Sequence, residues 1–128
     1  MPDSSGAPGA APIAQVFGTP DSSATRAALR FFKERRIEVH FVDVSRKPMA
    51  PGELRRFTDR LGARAVADET SKAWRDAGLG YLRMDDAELA GRLLADQRTL
   101  NIPLVRIGNT VAAGRNEAAW KAALVSSR

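Results

Sequence analysis

The stretch IAQVFGTPDSSATRAALRFFKERRIEVHFVDV, residues 13–44, decides the fold of this chain. It opens with a short β-branched and aromatic run at residues 13–17, which a Gly-Thr-Pro turn follows and which is typical of a buried strand. Three good N-cap residues at 21–23 then start a helix that is predicted to reach Arg36. A second apolar strand follows at residues 37–44. A strand, a helix and a strand in about 30 residues predict a right-handed crossover between parallel strands.

The rest of the chain predicts a helical insert, a hairpin and a final helix. Proline and glycine mark the limits of the first inserted helix, and apolar residues recur along it at helical spacing. A Gly-Asn pair between two short apolar runs predicts a hairpin turn. The predicted segments are helices at 51–61, at 63–79 in one or two pieces and from 85 or 86, strands at 103–107 and 110–113, and a helix from about 116.

Length and composition indicate one globular domain of 128 residues, with 44% apolar and 27% charged residues. Residues 1–12 are rich in Pro, Gly, Ala and Ser and lack the features of a signal peptide, so we expect a disordered tail before a single domain at 13–128. No apolar run approaches the ~18 residues of a membrane helix. The chain contains no cysteine, which excludes disulfides and, with the missing targeting signals, favours the cytoplasm.

The charge of the chain is basic but dispersed. Twenty basic residues stand among 15 acidic ones, for a net charge of +5. The eight aromatic residues form no evident stacking platform, so direct nucleic-acid binding is not expected. Solvated helix faces are the first interpretation of this charge, and an acidic protein partner is the alternative.

Six short segments resemble the arsenate reductase/Spx family in order and spacing, over residues ~13 to ~125. They are residues 17–20, Arg26, residues 47–54, residues 61–62 with 71–79, residues 102–105, and Gly114 with Glu117 and Trp120. The resemblance implies an α/β fold (α+β in some schemes) of the thioredoxin/glutaredoxin type, with the order βαβ, helical insert, ββα and a four-stranded mixed sheet. Pro103 matches the family's proline opposite the active-site turn, which is usually cis in such folds.

The resemblance also implies where the family's active site would lie, and the chain departs from the family there. The first family cysteine falls on Ser22, and the partner thiol of some members falls on Thr25. Arginines that hold the oxyanion in the family fall on Thr70, Ile102 and Gly114, whereas Arg26 is retained. Because a hydroxyl cannot replace a thiolate without a neighbouring base, these positions are interpreted as vestiges of an active site, and no catalytic residue is assigned.

Two interpretations of the turn remain open. Ser22 is first of all a helix N-cap, and the only histidine, His40, is predicted within the second strand and far from it. The same turn is also a candidate anion site made by Ser22, Ser23 and Arg26 at a helix N-terminus, although Asp21 would repel the anion.

Other candidate sites are more simply explained by structure. Trp74 and Trp120 lie at helical spacing and are expected in the core. The carboxylates at residues 85–88 suit a helix start. No metal site and no cofactor are predicted.

The function expected from these observations is binding without thiol catalysis. Since the Spx branch of the family binds RNA polymerase, the resemblance implies a protein partner, with a role in transcription as one option. The alternative is an enzyme, either an arsenate reductase-like oxidoreductase or one that handles a small anion with the helix N-terminus and Arg26.

Overall fold

The computed structural model describes residues 12–126, and the predicted tail lies outside them except for Pro12. The order of elements confirms the prediction. Strands are β1 (Ile13–Gly18), β2 (Glu38–Asp43), β3 (Leu104–Ile107) and β4 (Thr110–Ala113). Helices are α1 (Ser23–Glu34), α2 (Pro51–Leu61), α3 (Ala63–Val66), α4 (Lys72–Asp76), α5 (Asp86–Ala95) and α6 (Glu117–Ser126), and short 3₁₀ turns span Leu79–Tyr81 and Gln97–Thr99.

The four strands form one mixed sheet in the order β2-β1-β3-β4. β1 runs parallel to β2 and antiparallel to β3, and β3 and β4 form the predicted hairpin. Val16 shows the register, because it pairs with Phe41 on one side and with Val105 on the other. The C-terminal ends of β1 and β2 therefore lie at the same edge of the sheet, where the loops after them meet.

Apolar side chains alternate between the two faces of the sheet and build a core on each. On one face α1 and α6 pack together, and the Phe31 and Trp120 ring centroids lie 5.3 Å apart. On the other face the inserted helices pack, and Phe57 of α2 meets Phe17 edge-on at 5.8 Å. Trp74 and Trp120 are 3% and 0% exposed, which confirms that both are core residues.

Local signals set most of the helix limits. Ser22, Ser71 and Asp85 cap α1, α4 and α5 through side-chain oxygens that accept backbone N–H groups. Gly62 ends α2 with φ +84°.

The end of α1 corrects the prediction. α1 stops at Glu34 rather than at Arg36, because Arg36 adopts φ +57°. Ile37 N–H then donates to Phe32 O at 2.9 Å and Arg36 N–H to Lys33 O at 3.0 Å. This is a Schellman motif, which usually has glycine at the left-handed position. An arginine there gave no stop signal in the sequence.

No helix within residues 12–126 combines the length and the apolar character that a membrane crossing requires.

Candidate functional site

Ser22 lies at the N-terminus of α1, in the turn that follows β1. Its Oγ accepts the Thr25 N–H at 3.1 Å, and its own N–H donates to Thr19 O at 3.2 Å. This geometry confirms the N-cap interpretation. A lone pair of the hydroxyl oxygen is therefore engaged in capping. Within residues 12–126, Ser22 forms no hydrogen bond to a base that could remove its proton.

Thr25, where the resemblance places the second thiol of some family members, is fully buried. It is 0% exposed, and its Oγ1 finds no hydrogen-bond partner in the part of the chain that the structure describes. The side chain packs against the backbone of Gly18, where an ideal Cβ would lie only 2.3 Å from Thr25 Oγ1. Gly18 is thus the residue that lets α1 approach β1 so closely.

Arg26 and Ser23 lie exposed on the first turn of α1. The Arg26 guanidinium donates to Pro20 O at 3.1 Å, so it braces the turn that precedes its own helix. Asp21, between Pro20 and Ser22, is also exposed and lines a cleft on the adjoining surface. The candidate anion site of Ser22, Ser23 and Arg26 therefore has one cation that is already hydrogen-bonded and one carboxylate beside it.

Thr70 is held in a turn by Asp68. The Thr70 N–H and hydroxyl both donate to Asp68 Oδ1, at 2.9 and 2.6 Å. The Thr70 carbonyl accepts a hydrogen bond from the Arg75 guanidinium. Asp68 N–H in turn donates to Thr99 O at 2.8 Å. Thr70, where the resemblance places a family arginine, is thus a short polar residue that Asp68 holds in a turn.

Pro103 follows a cis peptide bond, as the family resemblance implies. Its carbonyl and that of Asn101 both accept the Gly114 N–H at 2.9 Å. Gly114 has φ +75°, and an ideal Cβ there would lie 2.6 Å from Asn101 Nδ2. Backbone geometry alone therefore explains the glycine at 114, where the resemblance places an anion-binding arginine of the family.

The loops at this edge of the sheet enclose an open cleft of about 850 Å³. Its walls come from the turn after β1, the loop after β2, Asp68, the 3₁₀ turn after α5 and Ile102. Of the seven positions that the sequence analysis interprets as vestiges of an active site, Ile102 alone lines the cleft. Pro20, Asp21 and Asp68, which are near others of the seven in sequence, also line it. The structure thus brings together the turn after β1, the segment before α4 and Ile102, which precedes β3.

Carboxylates dominate the charge of this cleft, because four aspartates and two arginines line it. Arg98 pairs with Asp96 at 2.8 Å, and Arg46 approaches Asp43 at 3.8 Å. The hydrogen bond from the Arg98 side chain lowers the pKa of Asp96, and the same contact raises the pKa of Arg98. The remaining two aspartates, Asp21 and Asp68, form no ion pair within residues 12–126.

Several cleft residues were not singled out from the sequence. Asp43, Asp96 and Arg98 belong to loops far apart in the chain. Gln97 binds Met49 with both ends of its amide, at 2.7 and 2.9 Å, and so joins the loop before α2 to the turn after α5. A local sequence pattern cannot predict the contact between Gln97 and Met49, because the two residues are 48 positions apart.

Two other kinds of site to consider in the described residues are a metal-binding cluster and a histidine near the turn at Ser22. Within residues 12–126, His, Cys, Asp and Glu form no group of three or more that could hold a metal ion. His40 is exposed on the edge strand and pairs in register with Gln15.

Comparison with known proteins places this geometry in a family. The model of the ArsC family matches residues 17–123. No curated protein matches the chain in sequence.

Several solved structures share the fold. A protein called YFFB has a TM-score of 0.79 and 20% identity, covering 87% of this chain and 98% of its own. An arsenate reductase from Vibrio cholerae has a TM-score of 0.77 and 18% identity, and the match covers 88% of this chain and 98% of that protein. A possible arsenate reductase from Streptococcus mutans has a TM-score of 0.69 and 17% identity, and the match covers 85% of this chain and 95% of that protein. These likenesses and the match over most of the chain lead to one conclusion: the protein belongs to the ArsC family, with its thioredoxin-like fold and without any cysteine.

Proposed function

We propose that this ArsC-family protein is not a thiol reductase and that its cleft binds a segment of a protein partner. The observation that carries the proposal is the chemistry of the cleft and its rim. A capping hydroxyl occupies the nucleophile position at Ser22, and aspartates line the walls beside positions where the family has arginines. Reduction of an oxyanion by a thiol enzyme requires a thiolate nucleophile in place of the hydroxyl and positively charged side chains in place of the aspartates.

The cleft suits a partner that carries both apolar and basic side chains. Leu100 and Ile102 contribute apolar surface to its walls. Asp21 and Asp68 offer carboxylates with which no arginine of residues 12–126 forms an ion pair. An extended segment with a lysine or arginine next to an aliphatic residue would match both features. The family resemblance makes RNA polymerase the first partner to test.

An anion-handling enzyme is the second candidate, and less supports it. Arg26 and the N-terminus of α1 favour an anion, but the Arg26 guanidinium already donates to Pro20 O and Asp21 stands beside the turn. In a glutathione- or thioredoxin-coupled arsenate assay we therefore expect the rate of a blank without protein. Turnover clearly above that blank would refute the non-catalytic proposal.

The binding proposal is tested by charge reversal in the cleft. The full chain serves as bait, both for RNA polymerase purified from the source cell and for co-purification from its lysate with quantitative mass spectrometry. Asp21→Arg should lose the partner. Glu34→Arg makes the same charge change at the exposed end of α1 and should retain it. No reproducible partner, or equal loss in both variants, would count against binding in the cleft.

A further inference from the structure

A row of polar side chains crosses the sheet on the face that carries α2. Arg106 of β3 pairs in register with Gln15 of β1, and Gln15 pairs on its other side with His40 of β2. Directly paired residues project from the same face of a sheet. Phe17 and Leu104, two positions along β1 and β3, belong to the core beneath α2. The three polar residues, here called the Arg106 row, therefore lie on that face.

The inserted helices leave this row open to solvent. His40 is exposed, and Gln15 and Arg106 are half-buried. Ile13, the next residue of β1 on the same face, is 51% exposed. This part of the sheet face is therefore polar and not covered by a helix, and an exposed aliphatic side chain lies next to it. It spans the edge strand β2 and the two central strands, β1 and β3.

A second arginine, Arg56, is near enough to the row for its charge to act on Arg106. Arg56 stands on α2 next to Phe57, whose ring packs against Phe17. Burial lowers the pKa of Arg106, and the positive charge of Arg56 lowers it further. Neither arginine forms an ion pair within residues 12–126, although Asp59 follows Arg56 by three positions on α2. Two neighbouring like charges without a counterion disfavour the folded state, and an anionic ligand would remove that cost.

We propose that the Arg106 row and Arg56 form a docking surface for an acidic segment of a partner protein. Its carboxylates contact the two guanidinium groups, which match carboxylate geometry, and an apolar side chain of the segment covers Ile13. Glu38 pairs with Ile13 on the β2 side of the surface, whereas Arg106 lies on β3. The carboxylates of the segment are therefore expected at the β3 side, away from Glu38. The surface is separate from the cleft, which begins after the end of β1, so the inference does not rest on the proposed function.

The test uses the full chain labelled with ¹⁵N and a short synthetic peptide of alternating glutamate and leucine at low salt. We expect saturable shifts of the Gln15, His40 and Arg106 amides and none at the cleft. Arg56→Gln/Arg106→Gln should weaken binding roughly tenfold or more, because two charge-assisted contacts are lost. Arg83→Gln/Arg92→Gln removes the same charge from two exposed arginines elsewhere and should bind like the parent. Well-dispersed spectra of both variants establish that they are folded.

Four outcomes would overturn the inference. They are shifts absent from the row, equal weakening in the two double variants, equal binding of a peptide with glutamine in place of glutamate, and tighter binding of a short oligothymidylate at the same amides. The last would assign the surface to phosphate rather than to an acidic protein segment.

Discussion

Thr25 carries a buried hydroxyl without a hydrogen-bond partner in the described part of the chain. An unsatisfied buried polar group costs about 1–3 kcal/mol, and replacing it by an apolar group of the same shape removes that cost. We therefore expect Thr25→Val to raise the free energy of unfolding by about 1 kcal/mol, since valine and threonine have similar helix propensities. Urea denaturation measures the change.

The matched control for this change is Thr25→Ser, which keeps the hydroxyl and removes the methyl group. It should be less stable than the parent, because it leaves the polar group and opens a small void beside Gly18. A valine variant that is less stable than the parent would mean that the hydroxyl has a partner, such as an internal water.

Gly114 illustrates a residue whose identity follows from the backbone. A side chain at φ +75° is strained, and its Cβ would also meet the Asn101 amide. Gly114→Ala should lower the free energy of unfolding by about 1–3 kcal/mol. Gly91→Ala in α5, where an added Cβ meets nothing within 4 Å, should instead raise it by about 0.5–1 kcal/mol. Thermal unfolding of the two variants side by side checks the opposite signs.

For the helices, the predicted ends were right where the residue type strongly favours one role, such as capping or ending a helix. Gly62 ends α2 and Asp85 caps α5, as their types indicate. The end of α1 was wrong because Arg36 takes a conformation that glycine usually takes. The Schellman hydrogen bonds and the burial of Phe32 outweigh the local preference of arginine there.

The 3₁₀ turn at Gln97–Thr99 depends on the pair of Asp96 and Arg98. Asp96 accepts from the Arg98 backbone N–H and from its guanidinium, which lowers the pKa of the carboxyl group. A depressed pKa stabilises the fold above the unfolded value of about 3.9 and loses that effect as the pH falls through the folded value. Because the pair is largely exposed, Arg98→Gln should lower the free energy of unfolding only slightly at neutral pH.

The pH dependence separates this pair from other effects of the substitution. Denaturation of Arg98→Gln and of the parent should differ at neutral pH and converge in acid, below the ordinary pKa of aspartate. Arg92→Gln, which removes an exposed charge on α5, should show no such convergence. A difference for Arg98→Gln that persists unchanged in acid would contradict the electrostatic origin.

At the scale of the whole molecule, the sequence predicted the strand order along the chain and the turn at Ser22, but not the cleft. Periodicity reveals which face of an element is buried, and resemblance located Ser22, Thr70 and Ile102. The cleft, however, arises where loops from distant parts of the chain meet, and Asp43 and Asp96 give no local sign of meeting there. Its acidic character thus became visible only in three dimensions.

That character determines what a restored thiol would do. In Ser22→Cys the sulfur replaces an oxygen that accepts the Thr25 N–H at 3.1 Å. The N-terminus of α1 should lower the thiol pKa below its ordinary value of about 8.5 by less than one unit, and Asp21 opposes the shift. Arsenate would still lack arginines at 70, 102 and 114, where each charge-assisted contact is worth about 1.5–3 kcal/mol.

We expect Ser22→Cys to form a measurable thiolate, which the rate of alkylation against pH would follow. We expect its turnover in the coupled arsenate assay to be no higher than that of the blank. Ser23→Cys, one position into the helix, controls for a thiol without the capping contact. Robust turnover by Ser22→Cys alone would show that the cleft still binds the oxyanion despite its aspartates.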